Sequence, residues 1–210
     1  VRTMKKISKL TVITTLITLL PIVLGIALYD RLPDVVATHW GIDNQPNGWS
    51  SRAMAVFGIP CIMAALNLVC GGATDRLQSE GVPKRVLALC RWIIPVLSLI
   101  LVPVMLYSAM GVSFDMGRIV CSILGIMFII IGNYLPKCRR NGVVGIKIPW
   151  TLSSDENWDK THRFAGFVWI VCGAAAIVGG WTKPVVAIVA LVAMILLPVV
   201  YSGILKHKGI

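Results

Sequence analysis

The chain has 210 residues, 57% of them hydrophobic, with a mean hydropathy of +0.82 and a formal net charge of +11. At this length a soluble chain would form one domain or two, but so apolar a composition points to a polytopic membrane protein. The charges cluster between the apolar runs, so the basic excess reads as membrane topology and not as direct nucleic-acid binding.

Six apolar runs are read as helical spans, at about Leu10–Leu28, Ala53–Gly71, Leu87–Met110, Arg118–Leu135, Phe164–Gly180 and Val185–Ile204. Backbone groups in lipid must bond within their own segment, so runs of this length are helices and the fold class is all-α, a polytopic transmembrane bundle of about six spans. The first run has a basic flank like a signal peptide, but it is longer than a signal core and has no clear small-residue cleavage site, so it is expected to be retained. Pro95 and Pro103 make the third span the best candidate for a bent helix, with simple packing geometry the favoured reading of these prolines.

Between the first two spans lies a loop containing Asp34, His39, Trp40 and Trp49, with Asn47-Gly48 expected to form its turn. Trp40 and Trp49 are either interfacial anchors or part of a lid offered, with His39, to an external ligand. Metal ligands are not expected: His39 has no second histidine at ligand spacing, and the six cysteines contain no C-x-x-C pair. Five of those cysteines, Cys61, Cys70, Cys90, Cys121 and Cys172, lie in or beside apolar runs and read as small packing residues.

The loop before the fifth span, Asn141 to Arg163, is a polar island of different character. Gly142 and Gly145 permit a tight return, and Pro149-Trp150 reads as a segment lying in the interface. Ser153 with Glu156 fits a capping box that starts a new helix, on which Trp158 and His162 share a face. Glu156–Lys160 and Asp159–Arg163 then stand as acid-first i,i+4 pairs.

Sixteen of the twenty Lys and Arg residues fall on one side if the N-terminus is inside, which puts both termini in the cytoplasm of a multi-pass cell-membrane protein. No ionisable side chain is expected at mid-membrane depth, since Arg91 and Arg118 are placed near span ends and Asn67 is only polar. This weighs against a transporter of ions, peptides or small molecules. An integral membrane enzyme is a further alternative, with His162 beside Asp159 or His39 beside Asp34 as base and orienting acid, but no hydrolase or metalloprotease motif accompanies them. The expected reading is no enzyme and no cofactor.

Together the two loops resemble the SdpI-type immunity protein family. The second carries Asn141, Gly145, Ile146, Pro149, Trp150, Thr151, Leu152, Ser153, Trp158, Lys160, Thr161, His162 and Arg163 in family order. The first carries Leu32-Pro33, His39-Trp40, Pro46 and Gly48-Trp49 of a small domain that often precedes it. The chain departs from the pattern at Lys147, usually Arg, and at Ile148, Asn47, Gly41 and Asn44; Lys147 keeps the charge but loses the planar fork. The resemblance implies a first span plus outer-loop domain over 1–52 and a five-span membrane domain over 53–210. It implies immunity to a secreted peptide toxin that collapses the membrane potential, with a winged-helix repressor as a cytoplasmic partner and membrane lipids around the bundle. On this reading Asp34, His39, Trp40 and Trp49 meet the toxin, while Asn141, Lys147, Pro149, Trp150, Trp158, His162 and Arg163 build or present the inner surface.

Overall fold

The computed structural model describes residues 7–76 and 82–210; Arg2, Lys5 and Lys6, which contribute to the charge asymmetry, lie outside them. In chain order the elements are α1 (Lys9–Thr18), α2 (Pro21–Leu28), β1 (Val35–Trp40), β2 (Pro46–Ser51), a π-helical turn (Met54–Gly58), α3 (Ile59–Arg76), α4 (Lys84–Ala109), α5 (Met116–Tyr134), α6 (Pro149–Ser153), α7 (Asp155–Thr182) and α8 (Pro184–His207). Among the described residues, six segments are long and apolar enough to cross a membrane: Lys9–Arg31, Met54–Asp75, Lys84–Ala109, Met116–Lys137, Asp155–Thr182 and Pro184–His207. Their outer surfaces carry Leu16, Val23, Val69, Phe167 and Ile195, each at least half exposed, which suits a hydrocarbon solvent and would be a liability in water. The chain divides into two compact units, one of residues 1–77 and 87–116, the other of residues 78–86 and 117–210.

In the first unit it is the first span that is interrupted. Helix α4 runs through Pro95 and Pro103 without a break, whereas the first span stops at Leu19–Leu20 and restarts at Pro21, the N1 position that proline tolerates best. Beyond the break, Leu32 and Val36 join Ala55, Val56, Val102, Met105 and Leu106 in a closed apolar cluster. Before it, the polar face of α1 meets α3 and α4. Arg91, near the N-terminal end of α4 and 5% exposed, forms an ion pair with Asp75, 4% exposed, near the end of α3. Sequence spacing missed this pair because its members come from different spans.

The loop between the first two spans is not helical. It is an antiparallel hairpin, with Val36 opposite Ser50, Ala37 opposite Trp49 and His39 opposite Gly48. Its turn is Gly41–Gln45, not Asn47-Gly48: Gly41 and Gln45 close it at 2.9 Å, and Asn44 takes φ 60°, a conformation that asparagine tolerates. Asn47 and Gly48 sit in β2. Gly48 is required by its neighbour across the sheet, because a Cβ there would stand 2.9 Å from the His39 Cβ.

In the second unit, glycines set the approach of α5 and α7. Gly125 and Gly132 on α5 face Gly173 and Gly166 on α7, so that a Cβ on Gly125 would come within 2.5 Å of the Gly173 carbonyl oxygen and one on Gly166 within 2.7 Å of that of Gly132. Such small-residue seams let backbones touch in a solvent that supplies no hydrophobic drive between helices. Replacing Gly173 by Leu should therefore force the helices apart, lowering the thermal midpoint in detergent by an overpacking cost of about 1–3 kcal/mol. Gly203→Leu on α8, where nothing lies within 4 Å, should leave the midpoint unchanged.

Candidate functional site

The hairpin presents two unlike faces. Strand alternation turns Val36, Thr38 and Trp40 inward, and Trp40 packs half-buried against the apolar cluster. The other face carries Val35 and Trp49, each 59% exposed, with His39 beside them and Ile42 88% exposed at the tip. The His39 Nδ1 is bonded to Asn47 Oδ1, which fixes the ring along the strand pair. Asp34 is paired with Arg52, whose guanidinium also donates to the Tyr29 carbonyl at 3.2 Å and lies 5.2 Å from that ring's centroid. Asp34 thus clamps the base of the hairpin.

The tip is held as well. Asn44 donates to the Phe114 carbonyl at 3.2 Å and accepts from the Met116 N–H at 2.8 Å, both beyond the end of α4. The hairpin is thus fastened at base, inner face and tip. Asn44 and Arg52 were not singled out from sequence. The signal for Asn44 was its departure from the usual pattern of the resembled family.

The inner loop is built around Trp158 and His162, which are 0% and 1% exposed. Their rings stack, with centroids 3.9 Å apart and planes 18° from parallel. The Trp158 indole donates to the Cys138 carbonyl at 2.8 Å. His162 Nε2 accepts the Ile146 N–H at 3.0 Å, and Nδ1 stands 2.8 Å from the Trp158 carbonyl. A backbone N–H can only donate and a carbonyl can only accept, so the ring is neutral with its proton on Nδ1. Both nitrogens are occupied by backbone groups, and Asp159 is not the partner that orients the ring.

The chain returns over this pair because of Asn141 and Gly145. Asn141 donates to the Arg139 and Val144 carbonyls and accepts from the Val143 and Val144 N–H groups, closing the turn with one side chain. Gly145, at φ 135°, lies flat on the rings: a Cβ there would be 2.4 Å from His162 Nε2. Lys147 donates to the Gly142 and Val143 carbonyls at 3.0 and 3.2 Å, a task a flexible ammonium performs without the planar fork of Arg.

Pro149 opens α6, where its missing N–H costs nothing, and Thr151 accepts the Ile148 N–H at 3.1 Å. Trp150 donates to the Ser202 hydroxyl at 2.6 Å and lies under the Lys206 ammonium. Helix α7 is capped one residue later than expected: the side chain that accepts the Asn157 N–H is Ser154, not Ser153. Ser153 instead ends α6. Of the two expected ion pairs on α7, Glu156–Lys160 forms at 2.8 Å, whereas among the described residues Asp159–Arg163 does not. Arg140 takes the acidic turn from outside, pairing with Asp155 at 2.6 Å.

Asn141, Pro149, Trp150, Trp158 and His162 are therefore brought together as a scaffold, while Lys147 and Arg163 stand exposed upon it. The stretch that carries this scaffold, residues 137–202, matches the model of the SdpI/YfhL protein family. The hairpin and its flanking spans, residues 16–64, match a second model described only as a domain of unknown function (DUF1648). Over 199 residues the chain is 28% identical to the Immunity protein SdpI of Bacillus subtilis (strain 168), covering 95% of each chain. No solved structure matches the chain. The stretch that matches the SdpI/YfhL model thus coincides with the scaffolded inner loop and the two helices that hold it, α7 and most of α8.

Proposed function

We propose that the protein is a multi-pass membrane immunity protein that protects its cell against a secreted peptide toxin. The reading rests above all on the end-to-end similarity to a protein named for immunity, 95% of each chain, which includes the hairpin as well as the family segment. The asymmetry of Lys and Arg favours cytoplasmic termini and an external hairpin. On that orientation the exposed face of Val35, His39 and Trp49 is where the peptide docks. An aromatic ring fixed on a rigid strand loses little freedom on binding and gives large contact area, the usual character of an anchor. Trp40 and Asp34 hold that face in place without being presented on it. The cationic residues exposed on the inner loop, Arg139, Lys147 and Arg163, are the groups offered to a cytoplasmic repressor.

Growth of a sensitive host exposed to secreted peptides of the source strain tests the reading. Cells expressing the protein should survive concentrations that stop control cells. Equal killing of the two, with the protein present in the membrane, would contradict it.

A further inference from the structure

The first unit contains a second polar arrangement that the immunity reading does not use. Thr11, Thr14, Thr15 and Thr18 lie on one face of α1, at i, i+3, i+4 and i+7, and three of them are fully buried. Facing them are Asn67 on α3 and Ser98 on α4, 1% and 0% exposed. The Asn67 amide bridges the Thr14 and Thr15 hydroxyls at 3.1 and 3.0 Å. Turned over, it accepts from both and also donates to the Arg91 carbonyl at 3.1 Å. Ser98 donates to the Thr18 carbonyl at 2.8 Å, beside the break before Pro21. These contacts form a polar column about 10 Å long, from the seven-residue span of Thr11 to Thr18 at 1.5 Å per residue.

The two ends of the column differ. Past Thr18 and Ser98 it runs into the apolar cluster of Val56, Val102 and Leu106, which closes it. At the other end stand Asp75 and Arg91. One carboxylate oxygen of Asp75 accepts from the Ser8 N–H and the Thr11 hydroxyl, both at 2.8 Å, and the other accepts from Arg91 Nη2 at 2.5 Å. This single side chain ties the N-terminus of α1 to α3 and to α4. Packing alone does not call for it, since apolar residues of similar volume hold helices together as well as a buried ion pair does. The pair also leaves a donor unmet: Arg91 Nε is buried and bonds to nothing. A buried N–H in a polar surrounding is a place that water fills. Nearby, α1 and α3 are close, with Gly71 pressed so near Thr11 that a Cβ would come within 2.4 Å.

We infer that Asp75 and Arg91 are a gate at the mouth of a blind polar half-column between α1, α3 and α4, which takes up water when the pair parts. The hydroxyl ladder then exchanges its helix-carbonyl partners for water, and the apolar cluster stops the water short of the hairpin. The gate is independent of which peptide the hairpin meets.

Cysteine reactivity in lipid nanodiscs, where both faces are accessible, tests this. The six native cysteines are replaced by Ala or Ser, and a membrane-impermeant methanethiosulfonate reagent, which reacts with hydrated thiolate, is applied to Thr14→Cys in the column and to Leu16→Cys on the lipid side. With the pair intact, both positions should react slowly. Asp75→Asn should raise the Thr14→Cys rate roughly tenfold or more, by raising the population of the open form, and leave Leu16→Cys slow. The apolar double variant Asp75→Leu/Arg91→Met should return Thr14→Cys to the slow rate. If Asp75→Asn does not fold, Arg91→Gln, which removes the cation that pairs with Asp75, serves as the broken pair. Equal Thr14→Cys rates with the pair intact and broken, or a parallel rise at Leu16→Cys, would overturn the gate.

Discussion

Trp158→Ala should be the most damaging single substitution in the second unit. It removes a fully buried indole on which His162 stacks and Gly145 rests, together with the indole's hydrogen bond to the Cys138 carbonyl. Emptying a site of this size costs about 3–5 kcal/mol, a large share of the roughly 5–15 kcal/mol that holds a domain together. The yield of monodisperse protein and its thermal midpoint in detergent should both fall sharply. Trp158→Phe keeps an aromatic surface for His162 and loses the indole hydrogen bond, about 1 kcal/mol, so its midpoint should lie close to that of the wild type. Gly145→Ala should resemble the alanine variant in effect, because its Cβ meets His162 Nε2 at 2.4 Å and its φ of 135° disfavours any side chain. A Trp158→Ala protein that melts with the wild type would mean the inner loop is not built on this residue.

The second large effect separates the two hairpin tryptophans. Trp49 is 59% exposed and Trp40 packs on the cluster of Leu32, Val36 and Leu106, so the two substitutions should fail in different ways. Trp49→Ala should leave expression and thermal midpoint unchanged while weakening peptide binding by about 2 kcal/mol, a loss of roughly thirtyfold in affinity, as expected for an aromatic anchor. Trp40→Ala should lower the midpoint first, and protection only through it. Binding of labelled peptide to the purified protein, set beside the melting curves, distinguishes the two. If Trp49→Ala binds as tightly as the wild type, the exposed face is not where the peptide docks.

The spans were legible because lipid imposes a simple rule: long apolar runs with charges between them leave helices as the only satisfied backbone. The first span's break was not legible, because proline's effect depends on what it faces and not on how many there are. Pro95 and Pro103 lie within a helix whose neighbours tolerate them, while Pro21 starts a new one. The hairpin was hidden by a strong local signal, Asn47-Gly48, whose glycine answers to His39 across the sheet. In the inner loop the clustering of Trp158 and His162 followed directly from i,i+4 spacing. The shift of the cap from Ser153 to Ser154 did not, since both serines precede the same acidic turn. Asp75 and Arg91 stand 16 residues apart on separate helices, and no periodicity in either helix announces a pair made only by their packing.

The central claim is that the exposed hairpin face confers protection, and membrane potential in peptide-challenged cells tests it most directly. Cells expressing the wild type should hold their potential while control cells lose it, and cells expressing Trp49→Ala at matched levels should lose it as the controls do. A Trp49→Ala protein that preserves the potential as well as the wild type, or a wild type that preserves it no better than the control, would contradict the account.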